Sequence, residues 1–126
     1  MTWQLTADRP IYLQLMEAIK LQIVSGAYQA GERLPPVRDI AAQAGVNPNT
    51  MQKALSELER DGLVYSQRTA GRFITEDENM IVKMRNELAQ DRIQAFFEGM
   101  SRLGFTREET MEMLNRAAQE QQQKGD

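Results

Sequence analysis

The chain has 126 residues and contains no cysteine and no histidine. Without thiols there is no disulfide to staple a small core and no thiolate nucleophile. Without either residue, zinc-finger ligation and imidazole acid–base catalysis are excluded. No phosphate-binding loop and no metal-ligand spacing occurs, and the acidic residues fall on exposed helix faces. Neither enzymatic activity nor a cofactor nor a metal is therefore expected. No apolar run approaches the length of a membrane span. Met1-Thr2-Trp3-Gln4-Leu5 lacks the basic start and apolar stretch of a secretory signal. A disulfide-free chain of this kind suits a reducing compartment, so a cytoplasmic location without membrane association is expected.

Charge is also scarce in sum: the net value is −3. Its distribution matters more. Residues 1–75 carry eight Lys/Arg against seven Asp/Glu, and residues 76–126 carry seven against eleven. The acidity sits in the second part, which leaves room for a local basic face in the first. The length suits one small domain, or one domain plus an appendage too short to fold alone. A core built from about 70 to 75 residues is marginal, so burial of further surface by oligomerisation is expected.

What is present is a strong helical periodicity. Trp3 and Leu5 alternate with polar residues and suggest a short extended lead-in. Asp8 before Pro10 signals a helix start, and Tyr12, Leu15, Met16, Ile19 and Ile23 give that first helix an apolar stripe ending at Gly26. Residues 28–32 read as a turn. Leu34-Pro35-Pro36 opens a second helix, with Val37, Ile40, Ala41 and Ala44 inward, Gly45 as its stop and Val46 as a plug. Asn47-Pro48 then supplies an amide cap and a first-turn proline. The third helix places Met51, Ala54, Leu55 and Leu58 on one side and Asn49, Gln52, Lys53 and Ser56 on the other. After Gly62, residues 63–67 and 72–75 are β-prone around Arg68-Thr69-Ala70-Gly71, a hairpin.

The acidic cluster Glu76-Asp77-Glu78 marks a boundary, giving regions 1–75 and 76–126. Beyond it a long helix carries Ile81, Met84, Leu88, Ala95, Phe96, Met100 and Leu103 in one stripe and breaks at Gly104. Thr106-Arg107-Glu108-Glu109 is a capping box for a last helix with Met111, Leu114 and Ala118, and residues from Gln119 onward are expected to fray. The fold expected is mainly α with a small β wing: a winged helix-turn-helix followed by a two-helix tail. In that plan the third helix lies in the major groove of double-stranded DNA. Its polar face lacks acids until Glu57, as base-edge reading requires; an ordinary solvated face is the alternative.

Several linked runs carry a resemblance. Residues 10–15 (Pro10-Ile11-Tyr12-Leu13-Gln14-Leu15) and 26–38 (Gly26 through Gly31-Glu32-Arg33-Leu34-Pro35-Pro36-Val37-Arg38) resemble the start of a GntR-family regulator. Residues 44–54, from Ala44-Gly45-Val46-Asn47-Pro48-Asn49-Thr50, and Leu58-Glu59-Arg60-Asp61-Gly62-Leu63-Val64 continue the pattern in register. The similarity covers residues 9–75, and the short tail resembles the YtrA-type branch. That resemblance implies a DNA-binding regulator, mostly repressors in that branch, often of operons encoding ABC transporters.

By the same resemblance Arg38 matches an arginine that contacts DNA, the alternative being a pair with Asp39 or Glu32. Thr50 matches a threonine that touches phosphate or base, the alternative being a cap. Gly71 matches the wing glycine that approaches the minor groove. The chain departs from many members by carrying Pro48 and Gln52 in place of arginines, and Asn47 and Pro36 in place of Ser/Thr. Guanine readout is thereby weakened, and Asn49 and Gln52 point towards adenine. Asn47, Lys53, Arg68, Thr69 and Arg72 complete the expected DNA-binding set, with Arg33 a lesser candidate.

In the tail, Met84, Met100, Met111 and Met113 with Phe96, Phe97 and Phe105 admit two readings, a ligand pocket or a helix–helix interface. Two helices of about 25 and 15 residues are too little to enclose a pocket and a core at once, which favours the interface. A homodimer through Ile81, Met84, Leu88, Phe96, Met100, Leu103, Met111 and Leu114 is expected, reading a palindromic site. A winged-helix module for protein or RNA is the remaining alternative.

Overall fold

The computed structural model describes residues 3–124. It has five helices and a two-stranded antiparallel sheet, in the order α1 (Ile11–Val24), α2 (Val37–Ala44), α3 (Pro48–Arg60), β1 (Val64–Gln67), β2 (Gly71–Ile74), α4 (Glu78–Arg102) and α5 (Arg107–Lys124). Two compact units follow one another along the chain, the first reaching Arg85 and the second beginning at Asn86. The first therefore takes in the opening turns of α4.

In the first unit α3 packs against α1, α2 and β1. The core is Leu15, Ile19, Ile40, Met51, Leu55, Leu58, Val64 and Ile74, each at most 1% exposed. At about 1.5–3 kcal/mol for each large apolar side chain removed from water, this cluster is what holds the unit together. Its members come from five elements, so none of the helices is stable on its own account.

Local chemistry explains most boundaries. Asn47 caps α3 by accepting the backbone N–H of Asn49 at 2.7 Å, with Pro48 in the first helical position. Gly45, at φ +72°, ends α2, with its own N–H on Ala42 O and that of Val46 on Ala41 O. That bonding pattern needs a left-handed residue at this point. Val46 is half-buried there and does not plug the core.

The helix start signalled by Asp8 and Pro10 is where it was expected: α1 begins at Ile11, with Pro10 in the cap position. The Asp8 carboxylate receives the Thr6 hydroxyl, which lowers its pKa. The lead-in forms no ladder; the buried side chain of Gln14 holds it, accepting from Thr6 N at 2.7 Å and donating to Thr6 O at 2.7 Å and Arg9 O at 2.9 Å. Two expectations are corrected. First, Leu34-Pro35-Pro36 precede α2 in extended form instead of opening it. Leu34 N–H donates to Arg72 O and Ile74 N–H to Glu32 O, both at 2.8 Å, with a bridge between Arg33 and Phe73. The proline pair keeps the preceding backbone extended and lets it line the edge of β2. Second, α5 continues to Lys124 instead of fraying from Gln119, because Gln, Glu and Lys are good helix formers.

The second unit is built differently. The capping box forms, Thr106 N–H donating to Glu109 Oε1 at 2.9 Å and Glu109 N–H to Thr106 Oγ1 at 3.1 Å. Thr110 is buried, and its hydroxyl returns to Thr106 O at 2.8 Å. Among the described residues, no helix is long and apolar enough to cross a membrane.

Candidate nucleic-acid interface

Because Met51, Ala54, Leu55 and Leu58 fill the core, the opposite side of α3 must face outward. Asn49, Gln52, Lys53 and Ser56 are all exposed there. Gln52 Nε2 donates to Ser56 Oγ at 3.2 Å, so the two polar groups one turn apart are pre-aligned. The Lys53 ammonium sits 4.0 Å from the centroid of the Tyr12 ring on α1, a cation–π contact that restrains a long flexible side chain. Asn47 spends its side-chain carbonyl oxygen on the cap, and the residue is exposed with its amide N–H groups making no hydrogen bond among the described residues. Thr50 is half-buried, and its hydroxyl makes no hydrogen bond among the described residues. Capping is therefore Asn47's task alone.

Arg38 stands exposed in the first turn of α2. It forms no ion pair with Asp39 or Glu32 among the described residues. Glu32 instead accepts the backbone N–H of Gln29. An unpaired guanidinium of this kind is suited to a phosphate.

The wing turns through Arg68, Thr69 and Ala70, with Ala70 N–H on Gln67 O at 3.1 Å. Arg68 and Thr69 are exposed. Gly71 lies opposite Gln67 in the ladder, at φ +104°, and a Cβ added there would come within 3.2 Å of Arg33 Nε. The left-handed backbone demands glycine, and a Cβ would in addition push the Arg33 guanidinium aside by a few tenths of an ångström. Arg33, underrated from sequence, is thereby carried to the base of the wing turn. Arg72 is placed otherwise than its exposed neighbours. Its side chain is 23% exposed and its Nε lies 3.6 Å from Glu59 Oε1.

Sequence reasoning missed Tyr12 and Glu59 as partners of this surface. Tyr12 was read as part of an apolar stripe, and nothing local to residue 12 signals Lys53. Glu59 is no more visible: Asp61 and Glu76 lie nearer the wing strands in sequence, and only the fold brings Glu59 to Ser66 and Arg72.

The tail residues divide. Met84 is buried within the single chain and belongs to a core, which corrects its assignment to an exposed stripe. Ile81, Leu88 and Met100 are half-buried, while Phe96, Leu103, Met111 and Leu114 are exposed, Leu103 by 72%. Gln90, Ile93, Gln94, Phe97, Glu98, Ser101 and Arg107 line an open groove of about 590 Å³. Arg107 lies over the Phe97 ring at 4.5 Å.

Comparison with known proteins matches this arrangement. The model of the gntR family of bacterial regulatory proteins matches residues 11–74. YhcF of Bacillus subtilis, an uncharacterised HTH-type transcriptional regulator, is 38% identical over 86% of this chain and 90% of its own length. The transcriptional repressor YtrA of the same organism is 34% identical, covering 75% of this chain and 77% of its own. A GntR-family regulator from Listeria monocytogenes superposes with a TM-score of 0.80 at 35% identity, over 89% of this chain and 98% of that one. The DNA-binding domain of AraR, solved in complex with operator ORR3, superposes with a TM-score of 0.50 at 27% identity, over 60% and 93%. With both its helix-turn-helix and its short tail accounted for, this chain belongs to the GntR family of DNA-binding transcription regulators, alongside YhcF and YtrA.

Proposed function

We propose that the chain is a homodimeric repressor that reads a palindromic operator with α3 in the major groove and the wing against the minor groove. The observation that carries this reading is the two-sidedness of α3. Four core residues at most 1% exposed fix the helix, while the amide-rich outer face is exposed, its one lysine steadied against Tyr12 of α1. Asn49 and Gln52 present the donor–acceptor pairs that match adenine. Arg38, Lys53 and Arg68 supply phosphate contacts, with Thr50, Thr69 and Asn47 as lesser polar contacts and Gly71 letting the wing come close. One winged helix reads too few base pairs to single out an operator in a genome, so two copies are required, with half-sites about one helical turn apart. Phe96, Leu103, Met111 and Leu114 form the apolar face through which the copies join.

The test is binding of the full chain to the DNA upstream of its own coding sequence, measured across salt concentrations. Specific binding is expected, and Arg38→Ala should weaken it on all sequences while lowering the slope of log affinity against log salt by about one unit. Failure to bind any duplex at low salt, with capture of RNA or protein instead, would replace this reading by that of a winged-helix adaptor.

A further inference from the structure

We infer that Glu59 is the positioning residue that fixes the wing to α3, and that Arg72 acts through it rather than on DNA. The inference rests on reading α3 and the wing as the two DNA-reading elements. Glu59 lies in the last turn of α3. Its Oε1 accepts the hydroxyl of Ser66 at 2.7 Å and faces Arg72 Nε at 3.6 Å. Ser66 and Arg72 are direct partners across the β1–β2 ladder. One carboxylate oxygen therefore holds both strands of the wing to the helix.

The state of Arg72 supports this assignment. Its Nε is buried and has no hydrogen-bond partner, and the acid it faces is Glu59. A buried guanidinium nitrogen is tolerated only beside a charge that compensates it. Arg38 and Arg68, by contrast, are exposed. A lone carboxylate near two DNA-reading elements would also repel phosphate. Paired with Arg72, its charge is neutralised, and the separation of helix and wing is fixed at the same time. Two grooves read by one rigid body need that separation held before DNA arrives.

The experiment uses the full chain and the duplex that it selects from a random-sequence library. Glu59→Ala and Arg72→Ala should each weaken binding about tenfold, and the double variant should be no weaker than either, because both remove one coupling. The salt slope should stay unchanged. In the DNA-free protein, wing amides of both variants should exchange about tenfold faster while those of α1 keep their rates. Tighter binding by Glu59→Ala would mean that the residue is only a repelling charge. A slope lower by about one unit in Arg72→Ala would make that arginine a phosphate contact. Unchanged wing exchange would remove the clamp itself. Should the wild-type chain select no duplex, the functional reading fails, and the exchange rates alone decide the clamp.

Discussion

Up to Arg85 the chain folds around a core to which α1, α2, α3 and both strands contribute. From Asn86 onward, Thr110 is the one buried residue among those whose burial is described. The first unit thus resembles a small globular protein, and the second a pair of helices without an interior. What orders the second unit is local: the capping box, the Phe96–Phe97 edge contact at 5.7 Å and the Arg107–Phe97 contact. Such interactions sustain isolated helices only marginally. Helices that are long, capped and apolar on one exposed face are the expected state of an element whose core is completed by a second copy.

The contrast can be broken most forcefully from the first unit. Leu58→Ala removes a fully buried side chain at the junction of α3 with its neighbours and should cost about 2–5 kcal/mol. Thermal unfolding of the first unit, followed by the single tryptophan or by exchange of α1 amides, would register it. A cost under about 1 kcal/mol would mean that the core is far looser than its burial implies.

A substitution of the opposite kind sharpens the contrast. Leu103→Glu adds a charge at a position 72% exposed in the single chain. Stability of the first unit should change by no more than about 0.5 kcal/mol. Association, measured by sedimentation over a dilution series, should weaken by about tenfold or more, since the charge would be buried twice in a symmetric interface. A dimer that survives this change would have to use another surface.

The smallest effect expected concerns the cap of α5. Thr106→Ala should cost about 0.5–2 kcal/mol of helix stability, seen as lost ellipticity. Glu109 adds a pH dependence of definite sign. Its hydrogen bonds from the Thr106 backbone and side chain hold its carboxyl below the ordinary 4.5. The stabilisation is complete above that value and is lost as the pH falls through the lowered folded value. Glu109→Gln should flatten that acidic limb of the helicity curve, and an unchanged limb would assign it to another carboxylate such as Asp8.

Much of this was legible because it is local. Asn47-Pro48, Gly45, Gly71 and Thr106–Glu109 act within a few residues of themselves, and each does in the fold what its chemistry requires. Most of the periodic stripes of the first three helices enter the core, with Tyr12, Val37 and Ala44 half-buried at its margin. The unread features are pairings across distance. Glu32–Leu34 gain their edge role from β2, some forty residues on. Lys53 is steadied by Tyr12, and Arg72 by Glu59. Asp8 and Pro10 mark the start of α1 correctly, but nothing in the sequence reveals that Thr6 takes the Asp8 carboxylate. Met84 shows the same limit within a helix: periodicity identifies an apolar face but not how far along it the chain's own core extends.

The division of labour on α3 has an evolutionary side. Asn49 and Gln52 contribute nothing to the core, and Gln52's one intramolecular bond is to another surface residue. Their identities are free to drift without endangering the fold. On the proposed reading of α3, a duplicated copy of such a gene needs few changes to serve a new operator, and those changes carry little penalty in folding yield. Lys53 and Glu59 are less free, being tied to α1 and to the wing. Libraries aimed at new specificities should therefore randomise Asn49, Gln52 and Ser56 first and leave the two tied positions alone.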